Sequence, residues 1–459
     1  MEKKKKKFEA PNLLVLIVSL IIFASLLTYI IPAGEYDLNE AGSVIAGTFH
    51  FTEKSPVNPI RAFSMIFDGL NASSYVIFIV MLMGGSISAI LSHGAVENII
   101  SYSIYRLNGK NTLLPVIGCM VLMSLLASIG GSDAFVAFVP VGVIVAKKLR
   151  LDPISAVAMF FMSSFVGFSM GPFCMTTQTI AGVPVFSGFF LRSCVLIFMT
   201  AWVCVYVAVY CKRILKDPSK SLMGNDAWIA ELDEPSASQQ EQKLDMRAVA
   251  SMLLLIISFV IIAIVMPLMG LGYGELMCIF FFLVIISGLI YGQSLSEIAN
   301  GFVQGCMQMA AIGIIIGFAK TIGIVLEEGN ILHSIVYYIT IPLGAMGSGL
   351  ASVFLVICNS IINLFIPSGS GEAAVVIPLM LPIGEVLNIP AQVIVSAFTY
   401  GDGLTNLCIP TFSVLMGSLM IAKVPYGKWM KFVTPFILIS FLFIAVLMFV
   451  LTSIGWTGL

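Results

Sequence analysis

Long apolar runs separated by short polar stretches make up most of this 459-residue chain. A helix needs about 20 apolar residues to cross a hydrocarbon core of ~30 Å. Uncharged runs of about that length recur along the whole chain, at 13–31, 75–92, 193–211, 248–274, 276–296, 298–319 and 432–459. The pattern predicts an all-α polytopic membrane protein with about ten to twelve membrane segments. A composition that is 59% hydrophobic and 10% charged agrees with this class.

Two of the apolar stretches carry a short polar break. Residues 129–133 read Ile-Gly-Gly-Ser-Asp, and residues 367–372 read Pro-Ser-Gly-Ser-Gly-Glu. The breaks and the prolines after them share a spacing of 238 positions in the pairs Gly131 and Gly369, Ser132 and Ser370, Pro140 and Pro378, and Pro172 and Pro410. Irregular backbone at membrane depth survives only where it lines a cavity or is buried in protein, so a duplicated break predicts a transport site. An ordinary bundle with glycines at helix contacts would explain one break, but it explains two less well.

Positive charges predict the orientation of the segments. The chain divides into a basic cytoplasmic N-terminus, a first membrane repeat, a cytoplasmic linker and a second membrane repeat, over 1–12, 13–211, 212–247 and 248–459. Lys and Arg flank the apolar pieces around the first tip, near 130–133, as expected for a re-entrant hairpin entered from the cytoplasm. They are absent beside the second tip, near 367–372, which predicts a hairpin entered from outside.

Each half also contains a long uncharged segment with an interruption. The first segment, 153–191, is interrupted around 169–179, and the second, 386–422, at Gly401-Asp402-Gly403. A re-entrant hairpin and a discontinuous helix in each half, with opposite orientations, predict two inverted-topology repeats. That arrangement is typical of secondary transporters.

Four ionisable residues interrupt apolar segments, where such groups are expensive and usually functional. We expect Asp133, Glu372 and Asp402 to bind substrate, and Lys320 to balance charge, for example as a counter-ion to Asp402. The two acids at the tips could instead cap helices, and Lys320 could reach towards the membrane surface. The other candidate ligands lie beside the tips and the second interruption: Ser132, Asn363, Ser368, Gly369, Ser370, Thr405 and Asn406, with Asn359 and Thr411 near the same site. Any hydroxyl among them could also bond within its own helix.

The charge of these candidates indicates the substrate class. Three acids against one lysine suit a cationic group, whereas helix N-termini at the tips suit a carboxylate. The sequence therefore favours an exchanger of basic amino acids, working by alternating access between the two hairpin tips. The alternative is a C4-dicarboxylate carrier coupled to protons or sodium ions. The nine cysteines are scattered and contain no CxxC pair, so we expect neither a metal site nor a cofactor beyond a coupling H⁺ or Na⁺.

Other function classes fit the chain poorly. An intramembrane aspartyl protease would need a Gly-x-Gly-Asp signature, but the chain offers only Gly-Gly-Ser-Asp and Gly-Asp-Gly. A serine protease would need a Gly-x-Ser-x-Gly nucleophile and a histidine within the membrane, and neither is recognisable. We expect no enzymatic activity and no nucleic-acid partner, because the basic residues of 1–12 read as a topology signal. A channel remains an alternative that saturable counterflow would separate from a carrier.

Several motifs resemble the YfcC-type family, a member of the C4-dicarboxylate anaerobic carrier group in the ion-transporter superfamily. They are Thr-Tyr-Ile-Ile-Pro-Ala-Gly-Glu-Tyr at 28–36, Ala-Gly-Val-Pro-Val at 181–185, Ser-Gly-Ser-Gly-Glu-Ala-Ala at 368–374 and Tyr-Gly-Asp-Gly at 400–403. The resemblance implies a carrier of the bacterial inner membrane that works as a homodimer, with a scaffold domain and an elevator-type transport domain. It leaves dicarboxylates and basic amino acids both open as substrates. Family members often carry two adjacent acids at the first tip, where this chain has Ser132 and Asp133.

Overall fold

The computed structural model describes residues 13–37, 45, 47–95, 98–99, 102, 113–129, 136, 138–184, 187–224, 243–269, 273–367 and 369–458. Its helices, in chain order, are α1 Leu13–Ile30, α2 Pro59–Ser64, α3 Ile66–Ala72, α4 Ser74–Leu91, α5 Leu113–Ile129, α6 Val139–Lys148, α7 Pro153–Met170, α8 Met175–Ile180, α9 Phe189–Lys216, α10 Met246–Met269, α11 Tyr273–Ile290, α12 Leu295–Glu328, α13 Leu332–Thr340, α14 Ser348–Asn363, α15 Gly369–Val386, α16 Ala391–Asn406, α17 Ser413–Ile421 and α18 Tyr426–Ser453. Two short strands, β1 Gly34–Glu35 and β2 His50–Phe51, pair antiparallel.

The apolar runs are helices, as predicted. Within the described ranges, four helices are long and apolar enough to cross a membrane, namely α7, α9, α12 and α18. Several other apolar helices are shorter. Large apolar side chains cover the outer surface of the spans, as on α18, where Leu442 is 68% exposed. A chain with this surface belongs in a lipid environment.

Helix α12 is longer than the run that predicted it. It begins with a capping box in which Ser294 and Glu297 exchange hydrogen bonds, and it continues past Lys320 to Glu328. Helix α12 packs along α4 of the first half, where a Cβ added to Gly85 would lie 2.9 Å from the Cys306 backbone nitrogen. Small residues therefore let these two helices approach closely.

Both predicted discontinuous helices are present. The first breaks between α7 and α8, at 171–174, inside the predicted interruption. The second breaks between α16 and α17, at 407–412, so the prediction of an interruption at Gly401-Asp402-Gly403 is wrong. Those three residues are helical, since helices tolerate glycine at moderate cost. Pro172 and Pro410 lie in the two breaks, because proline lacks the N–H that would continue a helix.

Aromatic side chains satisfy carbonyl groups that the second break frees. The indole Nε1 of Trp429 donates to the Leu407 carbonyl at 2.8 Å, and the Tyr426 hydroxyl donates to the Cys408 carbonyl at 2.5 Å. Both donors come from the first turn of α18. Helix α18 thus supplies the hydrogen bonds that water would supply in a soluble protein.

The two discontinuous helices contact each other directly, one from each half of the chain. A Cβ added to Gly403 on α16 would overlap the Ser169 side chain on α7. A Cβ on Gly167 would overlap the Ser124 carbonyl of α5, and one on Gly401 would lie 2.8 Å from the Val356 carbonyl oxygen of α14. These contacts pack α5, α7, α16 and α14 closely around the breaks.

The Gly403 contact predicts a sharp cost of added volume. We expect Gly403→Ala to lower the free energy of unfolding by about 1–3 kcal/mol, because the methyl group has no space between α16 and α7. The measurement is the Tm of the purified protein in one detergent.

Gly118→Ala is the matched control. Gly118 also lies inside a helix, α5, but nothing lies within 4 Å of an added Cβ there. Its replacement should leave Tm unchanged or slightly raise it, because alanine favours helix more than glycine does. Equal Tm values for the two variants would contradict the close contact.

Candidate substrate-binding site

The tip of the second hairpin lies against α16. Helix α14 ends at Asn363 and α15 begins at Gly369, so the break lies earlier in the chain than the predicted 367–372, and Glu372 lies in the first turn of α15. A Cβ added to Gly369 would lie 3.7 Å from the Asp402 Oδ2 atom. The hairpin therefore brings the start of α15 to the carboxylate of Asp402.

Three of the predicted ligands form one hydrogen-bonded group. Asn406 lies one turn after Asp402 on α16 and donates from Nδ2 to Asp402 Oδ1 at 2.8 Å. Asn363 donates from Nδ2 to the Asp402 carbonyl and to Asn406 Oδ1, each at 3.0 Å. All three side chains are buried. Asn363 thus links the first arm of the hairpin to the last turn of α16.

Glu372 is the least satisfied acid of the described residues. Its side chain is fully buried, and neither carboxyl oxygen has a hydrogen-bond partner. Helix capping is therefore not what holds it, since neither oxygen accepts a bond from the amides of the first turn. Glu372 also lies close enough to Asp402 for the two carboxylates to interact electrostatically. A buried carboxylate in this position requires a proton or a cation beside it.

Further buried polar atoms without partners belong to residues of α14 and of the second break. Asn359 lies one turn before Asn363 on α14, and both its Oδ1 and Nδ2 are buried without partners. The same holds for Asn363 Oδ1 and for Thr411 Oγ1 in the second break. Buried polar groups are normally hydrogen-bonded, so a group of unpaired ones indicates a place for a polar ligand. The site offers acceptors and donors as well as negative charge.

The remaining candidates have other outcomes. Thr405 donates to the Gly401 carbonyl one turn earlier, which is the intrahelical bond that the sequence left open. Ser132, Asp133 and Ser368 lie outside the described residues, so the first hairpin tip stays a prediction. Ser370 belongs to the first turn of α15.

Lys320 does not meet Asp402 in this conformation. Its side chain is exposed on α12, whereas Asp402 is buried, and none of the salt bridges of the described residues involves it. It lies one turn before Gly323, where an added Cβ would be 3.7 Å from the Phe365 carbonyl at the second tip. Lys320 therefore lies about one helical turn from the contact between α12 and the second tip, and its role in charge balance stays a prediction.

Sequence reasoning missed a buried cation. Arg192 lies in the first turn of α9 and is completely buried, with Nη2 donating to Gln392 Oε1 at 3.1 Å. In the sequence it separates two uncharged runs, 153–191 and 193–211, and the sequence analysis gave it no role. Its isolation between those two runs was the available signal.

The unpaired state of Glu372 predicts an unusual effect of neutralisation. We expect Glu372→Gln to keep or raise the Tm of the purified protein, because a neutral amide costs less to bury than an unpaired carboxylate. The same variant should lose transport, because the charge that would hold a cation is gone.

The matched control is Glu385→Gln, an exposed acid on the same helix. It should change neither Tm nor transport. A large fall in Tm for Glu372→Gln would show that the carboxylate stabilises the fold and would count against a ligand site.

Two curated relatives resemble nearly the whole chain. A protein of Escherichia coli strain K12, named "Putative basic amino acid antiporter YfcC", is 26% identical over 478 residues, covering 94% of each chain. A protein of Haemophilus influenzae whose name assigns no function is 25% identical over 489 residues, covering 95% of each.

Two solved transporters are similar at a lower level. The YdaH transporter of Alcanivorax borkumensis gives a TM-score of 0.45 at 17% identity, over 98% of this chain and 100% of that one. MtrF of Neisseria gonorrhoeae, described among antimetabolite efflux pumps, gives 0.42 at 17% identity, over 97% and 95%. At this similarity they define neither the fold nor the substrate of this chain.

A family-wide sequence profile is more decisive. The profile of the C4-dicarboxylate anaerobic carriers matches residues 10–453, nearly the full length. The apolar helices, the two discontinuous helices and the buried polar group all lie within that match. The chain therefore belongs to the C4-dicarboxylate anaerobic carrier family of membrane transporters.

Proposed function

We propose that this protein is a secondary active transporter that exchanges basic amino acids, of the arginine and ornithine type. The observation that carries the proposal is the buried carboxylate of Glu372, which has no partner and lies near a second buried acid, Asp402. The buried carboxylate of Glu372 has room for a positively charged partner. A guanidinium or ammonium group supplies both the charge and several N–H donors.

Neutral groups around the acids fit the same substrate. The unpaired Oδ1 atoms of Asn359 and Asn363 can accept hydrogen bonds from a cationic head group. Asp402 is already held by Asn406, so its orientation is fixed before substrate arrives. The E. coli relative, whose name refers to basic amino acids, supports the same class.

The wider mechanism is part of the same proposal. We propose that two inverted repeats present one hairpin to each side of the membrane, and that an elevator-type transport domain carries the tips past a scaffold. The N-terminus would lie in the cytoplasm of a bacterium, with the protein in the inner membrane as a homodimer. Protons or sodium ions are candidate coupling ions, since either could occupy Glu372 when substrate is absent.

A second candidate is transport of C4-dicarboxylates, which the family description favours. A dicarboxylate would meet two acids of its own sign. It would bind only with Glu372 and Asp402 protonated or paired with cations. The same residues would then serve as the coupling-ion site, and coupling to H⁺ or Na⁺ would be obligatory.

Counterflow in proteoliposomes separates the two candidates. We expect liposomes preloaded with arginine or ornithine to take up labelled arginine transiently, and liposomes preloaded with succinate to take up none. The rate of uptake should also saturate at high arginine concentration, whereas flux through a channel does not. Succinate exchange without arginine exchange would overturn the proposal.

Removal of the Asp402 charge tests the site itself. Loss of a charge-assisted hydrogen bond costs roughly 1.5–3 kcal/mol, so Asp402→Asn should lower arginine exchange about tenfold to one hundredfold. Tm should change little, because asparagine can still accept a bond from Asn406. Asp68→Asn, an exposed acid on α3, is the control and should exchange normally. Full activity of Asp402→Asn would remove Asp402 from the site.

A further inference from the structure

The strands β1 and β2, with the residues beside them, form a ribbon over 33–36 and 49–52 that joins the two halves of the chain. Within the ribbon, the Thr52 nitrogen donates to the Ala33 carbonyl at 3.0 Å. After the ribbon, the Val57 nitrogen donates to Thr28 Oγ1 on α1 at 2.9 Å, which fixes this segment to the first half. On its other side the ribbon lies against α13 of the second half.

Two of the contacts that attach the ribbon to the second half are independent of pH. The Gly34 nitrogen donates to the Asn330 carbonyl, in the turn before α13, at 2.9 Å. The Phe49 ring stacks on the Tyr337 ring of α13, with centroids 4.1 Å apart. Neither a peptide group nor an aromatic ring of this kind takes up a proton in mild acid. These two contacts therefore persist when the pH falls.

The third contact depends on protonation. The Tyr36 nitrogen donates to His333 Nδ1 at 3.2 Å, in the first turn of α13, which has nine residues and is too short to span a membrane. An imidazole nitrogen accepts a hydrogen bond only when it carries no proton, so His333 is neutral with its proton on Nε2. When His333 takes up a second proton, Nδ1 becomes a donor and faces the Tyr36 N–H. Protonation therefore breaks this contact.

The groups around His333 set the pH range. Burial lowers the pKa of His333 from its ordinary value of 6.5, and the carboxylates of Glu35 on β1 and Glu327 on α12 oppose part of this shift. Glu35 also pairs with His50 on β2, whose Nε2 lies 3.5 Å from Glu35 Oε1. Tyr36 stays neutral, because burial raises its pKa to about 12. The stability that the contact contributes is therefore present above about pH 6.5 and is lost as the pH falls through the lowered pKa.

We propose that His333 is an acid-sensitive attachment point, which holds the ribbon against α13 at neutral pH and releases it in acid. Protonation of a histidine at a contact between two elements is a recognised way to switch that contact. Helix α13 lies in the chain between α12 and α14, the first arm of the second hairpin. Release of the ribbon removes one restraint from this link. In the proposed orientation the ribbon faces outside, and the proposal does not depend on which substrate is transported.

The other two of the three histidines lack this arrangement. His50 is exposed, and its bond to the Thr48 carbonyl and the acids nearby raise its pKa, so protonation strengthens its contacts. His93 lies after α4 and donates from Nε2 to Gln293 Oε1 at 2.9 Å, a bond that the protonated ring keeps. Among the histidines, only His333 accepts a hydrogen bond that protonation would destroy.

The test follows the exchange of two backbone amides in the full chain in nanodiscs, at about pH 7.5 and about pH 5.5. The Tyr36 amide reports on the contact with His333, and the Thr52 amide reports on the ribbon itself. Exchange is read by mass spectrometry with fragmentation that resolves single amides, and protection is corrected for the intrinsic effect of pH on exchange. In the wild type we expect protection of the Tyr36 amide to fall severalfold in acid, while the Thr52 amide stays protected. Loss of protection at both amides would mean that the ribbon unfolds, and that outcome overturns the proposal.

His333→Asn removes the titrating group and keeps an oxygen acceptor close to the position of Nδ1. Protection of the Tyr36 amide should then be the same at both pH values. His50→Gln is the matched control on the ribbon and should show the same fall as the wild type. A fall that persists in His333→Asn or disappears in His50→Gln overturns the proposal, as does equal protection at both pH values in the wild type. If His333→Asn does not fold, His333→Gln takes its place and is judged by the same criterion.

Discussion

The structure depends on one constraint, which is that polar groups at membrane depth must find partners within the protein. Most of them do. Asp152 is fully buried and accepts hydrogen bonds from Ser155, from the Tyr210 hydroxyl at 2.6 Å and from the Ser221 hydroxyl at 2.7 Å. These hydrogen bonds connect Asp152, just before α7, to α9 and to the segment that follows α9. A buried acid whose oxygens accept several hydrogen bonds in this way stabilises the fold.

Buried charged side chains that lack such hydrogen bonds are not explained by a role in the fold. Glu372 and Arg192 are as deeply buried as Asp152, but the carboxylate has no partner and the guanidinium has only a glutamine. Leaving either so would cost several kcal/mol in a permanently dry interior. The two have opposite signs, and a role in the fold alone explains neither of them.

The sequence predicted the elements better than their ends. Apolar runs fixed the spans, because a helix in lipid must be apolar over its length. Pro172 and Pro410 lie in the two breaks, but proline alone does not locate a break, because Pro378 and Pro382 lie inside α15. Glycine misled the prediction at Gly401 and Gly403, where it serves helix contact instead of a break. Composition cannot separate these two uses, because the difference lies in what packs against the residue.

Charged residues were harder to assign for the same reason. Lys320 and Arg192 both interrupt apolar sequence, and the lysine was the more obvious candidate because it lies within a run. Only the packing shows that the lysine is exposed and the arginine buried. The role of Glu372 stays a prediction, and its lack of a cap could not be foreseen from its place after Gly-Ser-Gly.

Close packing also limits which parts can move during the proposed alternating access. The contacts of Gly403 with Ser169, and of Gly167 with Ser124, leave no room for sliding, so α5, α7 and α16 must move as one unit. The contact between α12 and the second tip is an ordinary van der Waals distance at Gly323. Asp402 belongs to this tightly packed unit, and Glu372 lies close to Asp402. In the proposed mechanism, a substrate held by these two acids would therefore travel with that unit, past the looser contact with α12.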